Sequence, residues 1–483
     1  LLTKETYSSL FIGIVVGALL ATDFSPIGAL DTIINDGLTA AIADNAGIFL
    51  FLVILGVMVA LVNATGGSAA FGRWAASHIH SKAGALLATF ALGVLIFIDD
   101  YFNCLTVGSV MTPVTDSQKI SRVKLAYLID ATAAPICMIA PISSWAAAVS
   151  GVAAKLDTGV SGIQLFIEAI PYNFYSLLTI VFVITMVVLG VDYGPMAAAE
   201  LKAAQTGDLG ALSEEQEEGS SRANMWDMLI PIILLIIFCV IGLIYVGGFW
   251  DPETNAGDFI AAFGDTDAFV GLPWGALIAL VLSIIYLCAR RVITFKGAMG
   301  CMTKGFNAMV PAILILTFAV SLKSMTGLLG AADYVEGLMK QASEGLFMLL
   351  PAIIFVVACL LAFATGTSWG TFGILIPIVL PIFNAAPDLQ IMGISACLAG
   401  AVCGDHCSPI SDTTIMASAG ANCNHIDHVS TQIPYAVTVA AICFVNYILA
   451  AFIRNVVISL AIGVVMVIGT LLVIRSVQSR KTA

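Results

Sequence analysis

The sequence predicts an all-α polytopic membrane protein with about ten crossings, built as two inverted-topology repeats that each carry a re-entrant hairpin and a Pro-broken helix. Three observations predict this. The 483 residues are 60% hydrophobic and 10% charged, with mean hydropathy +1.02, whereas a soluble domain carries roughly 25% charged residues. Two apolar stretches, 84–114 and 345–386, are interrupted midway by polar residues. Short motifs recur in the same order in the two halves.

Taken in order, the predicted crossings are 8–22, 48–64, 125–150, 172–190, 226–248, 273–289, 308–322, 391–419, 433–453 and 455–475. Each is a continuous Leu/Ile/Val/Ala-rich run, so helices rather than alternating barrel strands are expected. The run 8–22 follows too short a charged region to be a signal peptide and is expected to be a retained helix. Positive charge on short loops sets orientation. Arg73 and Lys82 lie before the stretch 84–114, and Lys119, Arg122 and Lys124 lie after it. Both flanks are then cytoplasmic, and 84–114 becomes a hairpin with Asp99 and Asp100 near its tip. The loops 23–47 and 249–270 are acidic without Lys or Arg, which fits the outside. Arg290, Arg291, Lys296 and Lys304 then fall inside, as does the C-terminus with Arg475, Arg480 and Lys481. The loop 323–344, with Lys323 and Lys340, must be external and fits poorly.

The expected organisation is a first repeat over 1–190, a cytoplasmic acidic linker over 191–225, a linking helix and external loop over 226–272, a second repeat over 273–453, and an extra helix and tail over 454–483. The linker, with its SEEQEE cluster, reads as a solvated loop. NATGG (63–67) pairs with SMTGL (324–328), NCLTVG (103–108) with SWGTFG (368–373), and APISS (140–144) with SPISD (408–412). The offset drifts only from 261 to 268 positions. One unpaired crossing, 226–248, separates the halves, so the second hairpin enters from outside. Inverted repeats with broken elements at the midplane are a common plan of secondary transporters.

Pro141 and Pro409 are expected to interrupt the helices 125–150 and 391–419, because a Pro removes one helical hydrogen bond and frees a carbonyl. Freed carbonyls beside Ser143, Ser144, Ser408 and Ser411 are hard oxygen ligands for a small cation. Acids inside a membrane are costly and are functional candidates; here they are Asp99, Asp100, Asp130, Asp405 and Asp412. A sodium site formed by Asp405, Ser411 and Asp412 is expected between this break and the first hairpin tip. His406 reads as a structural hydrogen bonder or a proton-exchanging group. A zinc-like site at Cys403, His406 and Cys407 lacks a second half. TGTSWGTFG (365–373) has no Lys after it and no strand before it, unlike a phosphate loop. It reads as a hairpin tip whose Thr365, Thr367 and Ser368 could hold a cation or a carboxylate. His425, Asp427 and His428 read as solvated surface or a pH sensor. The eleven Cys show no disulfide framework. A membrane enzyme would need a nucleophile and base within reach, and beyond His406 and Ser408 none is apparent, so no enzyme activity and no nucleic-acid partner are expected.

DDYFNCLTVGSVMTPVTD, KLAYLIDATAAPICMIAPISSW, ATGTSWGTFGILIPI and GDHCSPISDTT, followed by HIDHVSTQIPYA, resemble the NhaC-type sodium/proton antiporter family of the ion transporter superfamily. The resemblance covers most of 50–450. It implies inverted repeats with paired re-entrant hairpins, and a polar core of Asp99, Asp100, Asn103, Asp130, Ser143, Thr367, Ser368, Asp405, Ser408 and Asp412. It implies a bacterial inner-membrane protein with sodium and protons as coupling ions and no other cofactor. Similar proteins also exchange organic acids or carry amino acids, so a small organic solute stays open as cargo. Oligomeric state stays open too, a homodimer included.

Overall fold

The computed structural model describes residues 6–67, 70, 74, 78–79, 81–97, 100–140, 143, 145–146, 149, 162–212, 222–330, 347–383 and 387–482. Asp99, Ser144, Pro141, Arg73, Lys340 and the SEEQEE cluster lie outside them. Twenty α-helices are present among the described residues, with one isolated bridge, Ala211 to Cys423. Among the described residues, four helices are long and apolar enough to cross a membrane by themselves, or up to seven if each of three bent pairs is one span. Side chains such as Ile233, Ile237, Ile285, Leu360, Phe452 and Val465 are exposed. Exposed aliphatic faces of this kind have lipid as their natural solvent, where helices alone keep backbone groups paired within one segment.

One helix group comprises α1 (Thr6–Ala21), α2 (Pro26–Thr32) with the π-helical turn Ile33–Thr39, and α3 (Ala40–Thr65). Helices α11 (Trp226–Val246), α13 (Ala268–Ala289) and α14 (Phe295–Leu328) pack against these and one another. The second group holds the site. Its first part is α4 (Lys82–Leu95), α5 (Asp100–Ser117), α6 (Arg122–Thr132), α7 (Ala134–Cys137), α8 (Gly162–Ala169), α9 (Phe174–Leu189) and α10 (Gly194–Thr206). After the short α12 (Phe259–Gly264) and the first group, it resumes with α15 (Leu350–Thr365), α16 (Ser368–Ile382), α17 (Pro387–Cys407), α18 (Asp412–Gly420), α19 (His425–Ile453) and α20 (Val456–Thr482). Among the described residues, the most extensive helix packing is between α15 and α17.

Charged contacts gather on one rim. Glu200 of α10 is buried and bonds the Ser121 hydroxyl at 2.6 Å, and it pairs with Lys82 at the start of α4. Gln118, just past α5, donates to the Ile79 carbonyl at 3.0 Å. The two ends of the α4–α5 hairpin therefore meet on the same side. Arg122 makes two 2.8 Å bonds to Asp116 and donates to the Ala421 carbonyl at 2.8 Å. Lys124 pairs with Asp192 and lies 5.2 Å over the Tyr435 ring. Burial alone would raise the Asp192 carboxyl, but Lys124 and the Tyr435 hydroxyl hold it below the usual carboxylate range. Buried Asp227 accepts two 3.1 Å bonds from Arg290. The α15–α16 hairpin starts at the other end of the molecule: Met348, just before it, contacts Arg454 at the far end of α19.

Two expectations are corrected and one is extended. The linker 191–225 is not wholly a solvated loop. It carries α10, anchors Lys82 and Ser121 through Glu200, and pairs Leu212 with Asn422. The segment 125–150 has an interruption that was not expected, at Ala133, with φ −85° and ψ −98°; the expected one at Pro141 falls on a residue outside those described, between the end of α7 at Cys137 and helical Trp145. Pro135 stands at the start of α7 and has no N–H to continue the helix from α6. Finally, α14 begins at Phe295 rather than 308, because Thr294 caps it by accepting from the Gly297 amide.

Candidate functional site

The second break is where the sequence placed it. Helix α17 ends at Cys407 and α18 starts at Asp412, with the two axes bent by 49°. Pro409 lies between them. Ser411 caps α18 by accepting from the Thr414 amide at 3.3 Å. The Ser408 hydroxyl donates to the Phe363 carbonyl of α15 at 2.8 Å, so the break is stitched to the second hairpin.

Both hairpins converge on this break. Asp405 accepts from the Ser368 hydroxyl at 2.6 Å and from the Ser368 amide at 3.3 Å. Its Oδ1 is buried with no hydrogen-bond partner among the described residues. Asp412 accepts from the Tyr101 hydroxyl of α5 and from the Thr413 amide at 2.9 Å. Helices α5 and α18 can approach because glycines face each other. A Cβ on Gly108 would lie 2.4 Å from the Gly420 backbone, and one on Gly420 would lie 2.4 Å from the Cys104 carbonyl. Small residues at such crossings are the usual means of close backbone contact in membranes.

The residues paired between the halves play matching parts. The Asn103 amide lies 3.0 Å from the Thr132 carbonyl at the first break, and 2.6 Å and 3.0 Å from the Gly93 and Ile96 carbonyls of its own hairpin. The hydroxyl of Ser368, its counterpart, lies 3.1 Å from the Ala401 carbonyl on the second broken helix. Contacts between halves are also reciprocal. Asp412, just after one P-I-S, meets Tyr101 of the first hairpin. Trp145, just after the other, stacks edge-on against Trp369 of the second hairpin with centroids 6.0 Å apart.

Asp130 forms the other half of the centre. It is buried on α6 and accepts from Gln432 Nε2 at 2.9 Å. The same nitrogen reaches the His406 carbonyl. His406 Nε2 and His428 Nε2 each lie 4.0 Å from Asp130 Oδ2. The His406 Nδ1 bonds the Tyr175 hydroxyl at 2.8 Å, which accords with a structural role.

Other expected residues lie around the centre rather than in it. Asp100 is buried at the start of α5. Ser143 bonds the Cys137 and Ala140 carbonyls at 2.7 and 3.0 Å. Thr365 turns back on the Leu361 carbonyl at 2.8 Å, and Thr367 accepts from the Gly370 amide at 3.3 Å. The Asp405 carbonyl, which the missing N–H of Pro409 was expected to free for an ion, accepts from the Ser408 amide at 2.9 Å, and the Pro409 carbonyl is taken by His425 Nε2 at 2.7 Å. His428 is not solvated surface as expected: it is buried. The sequence reading missed Tyr101, Tyr175 and Gln432, and took His428 for solvated surface or a pH sensor. The spacing of His428, Gln432 and Tyr435 along one helix face was the available signal.

Comparison with known proteins decides the family. A family model described as "Na+/H+ antiporter family" matches residues 136–452. The chain belongs to the Na+/H+ antiporter family. An uncharacterised protein of Haemophilus influenzae is 37% identical over 93% of this chain and 88% of its own length. An arginine/ornithine antiporter of Halobacterium salinarum is 26% identical over 49% of this chain and 44% of its own. A malate-2H(+)/Na(+)-lactate antiporter of Bacillus subtilis is 26% identical over 41% of this chain and 42% of its own. The Alcanivorax borkumensis YdaH transporter structure matches 92% of this chain and 98% of its own at 14% identity, with a TM-score of 0.41. As a member of the Na+/H+ antiporter family, the protein is a multi-pass membrane transporter and not an enzyme.

Proposed function

We propose that the protein exchanges sodium for protons by alternating access, with the cation held at the break between α17 and α18. One observation carries this reading. The carboxylates on either side of a single helix break are each tied to a different hairpin, Asp405 to Ser368 and Asp412 to Tyr101. An unpaired charge at membrane depth costs at least about 2.5–3.5 kcal/mol, and sodium is a hard cation suited to such oxygen ligands. Asp405, Ser411 and Asp412 are the proposed sodium ligands. Sodium and protons compete for the carboxylates, and only the loaded forms reorient. The hairpins that open at opposite ends of the molecule support inverted repeats, the repeat boundaries given above, and a binding centre between them. The basic residues Lys82, Arg122, Lys124 and Arg290 on one rim support a cytoplasmic rim and cytoplasmic termini in a bacterial inner membrane.

The test is thermal stabilisation of the purified protein by sodium. Wild type is expected to gain more at high pH, where protons compete less. If Asp405→Asn and Asp412→Asn both keep the whole sodium effect with unchanged pH dependence, the acids are structural and the site lies elsewhere.

A second reading has its own support in the two 26% relatives, whose names specify amino-acid and organic-acid exchange. In it, the same ion site works beside a small carboxylate-bearing solute held at Thr365, Thr367 and Ser368. Counterflow in proteoliposomes with sodium, malate, lactate, arginine and ornithine separates the two.

A further inference from the structure

A buried line of side chains leads from the rim to Asp130, and neither the sodium site nor the helix caps use it. His425 opens α19 and is half-buried. Its Nδ1 lies 3.0 Å from the Ser418 hydroxyl of α18. Ser418 is buried and lies 2.8 Å from His428 Nδ1. The far nitrogen of His428, Nε2, is buried without a hydrogen-bond partner and stands 4.0 Å from Asp130 Oδ2. Two imidazoles and a hydroxyl thus alternate donors and acceptors in single file, ending on a carboxylate.

Hydrogen-bond accounting fixes which way the protons point. His425 Nε2 faces the Pro409 carbonyl at 2.7 Å, so that nitrogen carries a proton and Nδ1 is the acceptor. The Ser418 hydroxyl has one proton for three neighbours: the Thr414 carbonyl at 2.8 Å and the two ring nitrogens. His428 Nδ1 therefore donates to Ser418, and the lone pair on His428 Nε2 faces Asp130.

We propose that His428, Ser418 and His425 relay protons between Asp130 and the rim. This rests on the proton-coupled reading above and gives Asp130, in the other half of the centre, its path to the rim. Protonated Asp130 gives its proton to His428 Nε2. His428 Nδ1 passes its own proton to Ser418, and Ser418 passes its own to His425 Nδ1. His425 then loses its Nε2 proton to water at the rim. One proton enters, one leaves, and no co-reactant is consumed; rotation of the hydroxyl and rings restores the starting state. The 4.0 Å step between Asp130 and His428 is the one open link. Gln432 holds it open by binding Asp130 Oδ2 and the His406 carbonyl together.

Other polar groups surround the line. Asp130 is faced by His406 from α17 and by Gln432 and His428 from α19. Asp412 on α18 acts on it electrostatically. His428 is influenced by His425 and His406, and Asp427 beside it is exposed. None of these offers a second continuous route from Asp130 to the rim among the described residues.

The experiment is a pH jump on the purified full-length protein, followed by time-resolved infrared detection of the protonated carboxyl band of Asp130. The band is assigned by its loss in Asp130→Asn. Ser418→Ala and His428→Gln are expected to slow its rise at least about tenfold with its amplitude kept, since a positioned proton-transfer group contributes roughly 10²–10⁴ in rate. Ser418→Thr keeps the hydroxyl and is expected to restore the rate even if Ser418→Ala proves unstable. Wild-type rates in both relay variants, or no band lost in Asp130→Asn, overturn the proposal. A lower melting temperature with an unchanged rate would make Ser418 a staple between α18 and α19, which also overturns it. Sodium-driven proton uptake by wild-type proteoliposomes tests the exchange reading separately: its absence removes sodium/proton exchange, while the infrared rates still decide the relay.

Discussion

Lys124 is buried near one end of α6, where an ammonium must be paired. Asp192, brought there from the turn after α9, supplies the countercharge, and Tyr435 donates to the same carboxylate at 2.7 Å. Removing one partner of a buried pair typically costs about 3–5 kcal/mol, so Asp192→Asn is expected to destabilise the protein by that order in thermal unfolding. The acid side carries a signature of the same contact. The Asp192 carboxyl is held below its ordinary range, so its contribution is present above that range and is lost as pH falls through the lowered folded-state value. Asp192→Asn should therefore flatten the acid-side loss of stability that wild type shows. A mutant curve with the wild-type acid limb would exclude this role. At the candidate site, Tyr101 is the donor from the first hairpin to Asp412. A hydrogen bond to a charged group is worth about 1.5–3 kcal/mol, and Tyr101→Phe is expected to lower stability by that order; an unchanged melting temperature would rule it out. Asp405, Asp412 and Asp130 were legible in the sequence because acids inside apolar runs stand out. His428 and Gln432 were not, because HIDHVSTQ is polar enough to read as surface. Their burial is made by α18 packing across the start of α19, a contact that no local pattern encodes.

Elements meet here at places where the helix is interrupted, and each interruption has a chemical cause. Gly366 ends α15 at φ +64°, a left-handed conformation that costs other residues roughly 1–2 kcal/mol. A Cβ there would also lie 2.5 Å from the Ile410 carbonyl in the α17–α18 break. Gly366→Ala is thus expected to part the second hairpin from the break. It should cost more than the conformational term alone and weaken sodium-dependent stabilisation as well. Thermal unfolding with and without sodium measures both, and an Ala variant with wild-type behaviour in each would show that the contact is dispensable. Asn103 has the corresponding duty at the first hairpin, spanning three carbonyls from two elements. The sequence showed the second break correctly through Pro409. It missed an additional interruption in the other half, where Pro135 ends the helix at Ala133; the one expected at Pro141 falls on a residue outside those described.

At the scale of the whole molecule, the rim and the far end define how the chain traverses the membrane. His78 and Ser117 flank the first hairpin and are exposed, and the neighbouring Gln118 bonds the Ile79 carbonyl across its mouth. Met348 precedes the second hairpin and contacts Arg454, at the end of α19 remote from the rim. Helix α11 starts at the rim, where Asp227 meets Arg290, and leads to the loop that carries exposed Glu253. If the rim is cytoplasmic, His78→Cys and Ser117→Cys should both react with an impermeant thiol reagent from the cytoplasmic side only. Met348→Cys and Glu253→Cys should react from the outside only. The measurement needs a cysteine-free background and both right-side-out and inverted vesicles. The buried basic residues explain why the outcome should be one-sided: Arg122 and Lys124 are tied to Asp116 and Asp192 at the rim, and moving them across a bilayer would carry their charges through hydrocarbon. Labelling of positions 78 and 117 from opposite sides would make α4 and α5 an ordinary pair of crossings. The two hairpins would then no longer open in opposite directions, and a binding centre reached alternately from each side would lose its structural basis.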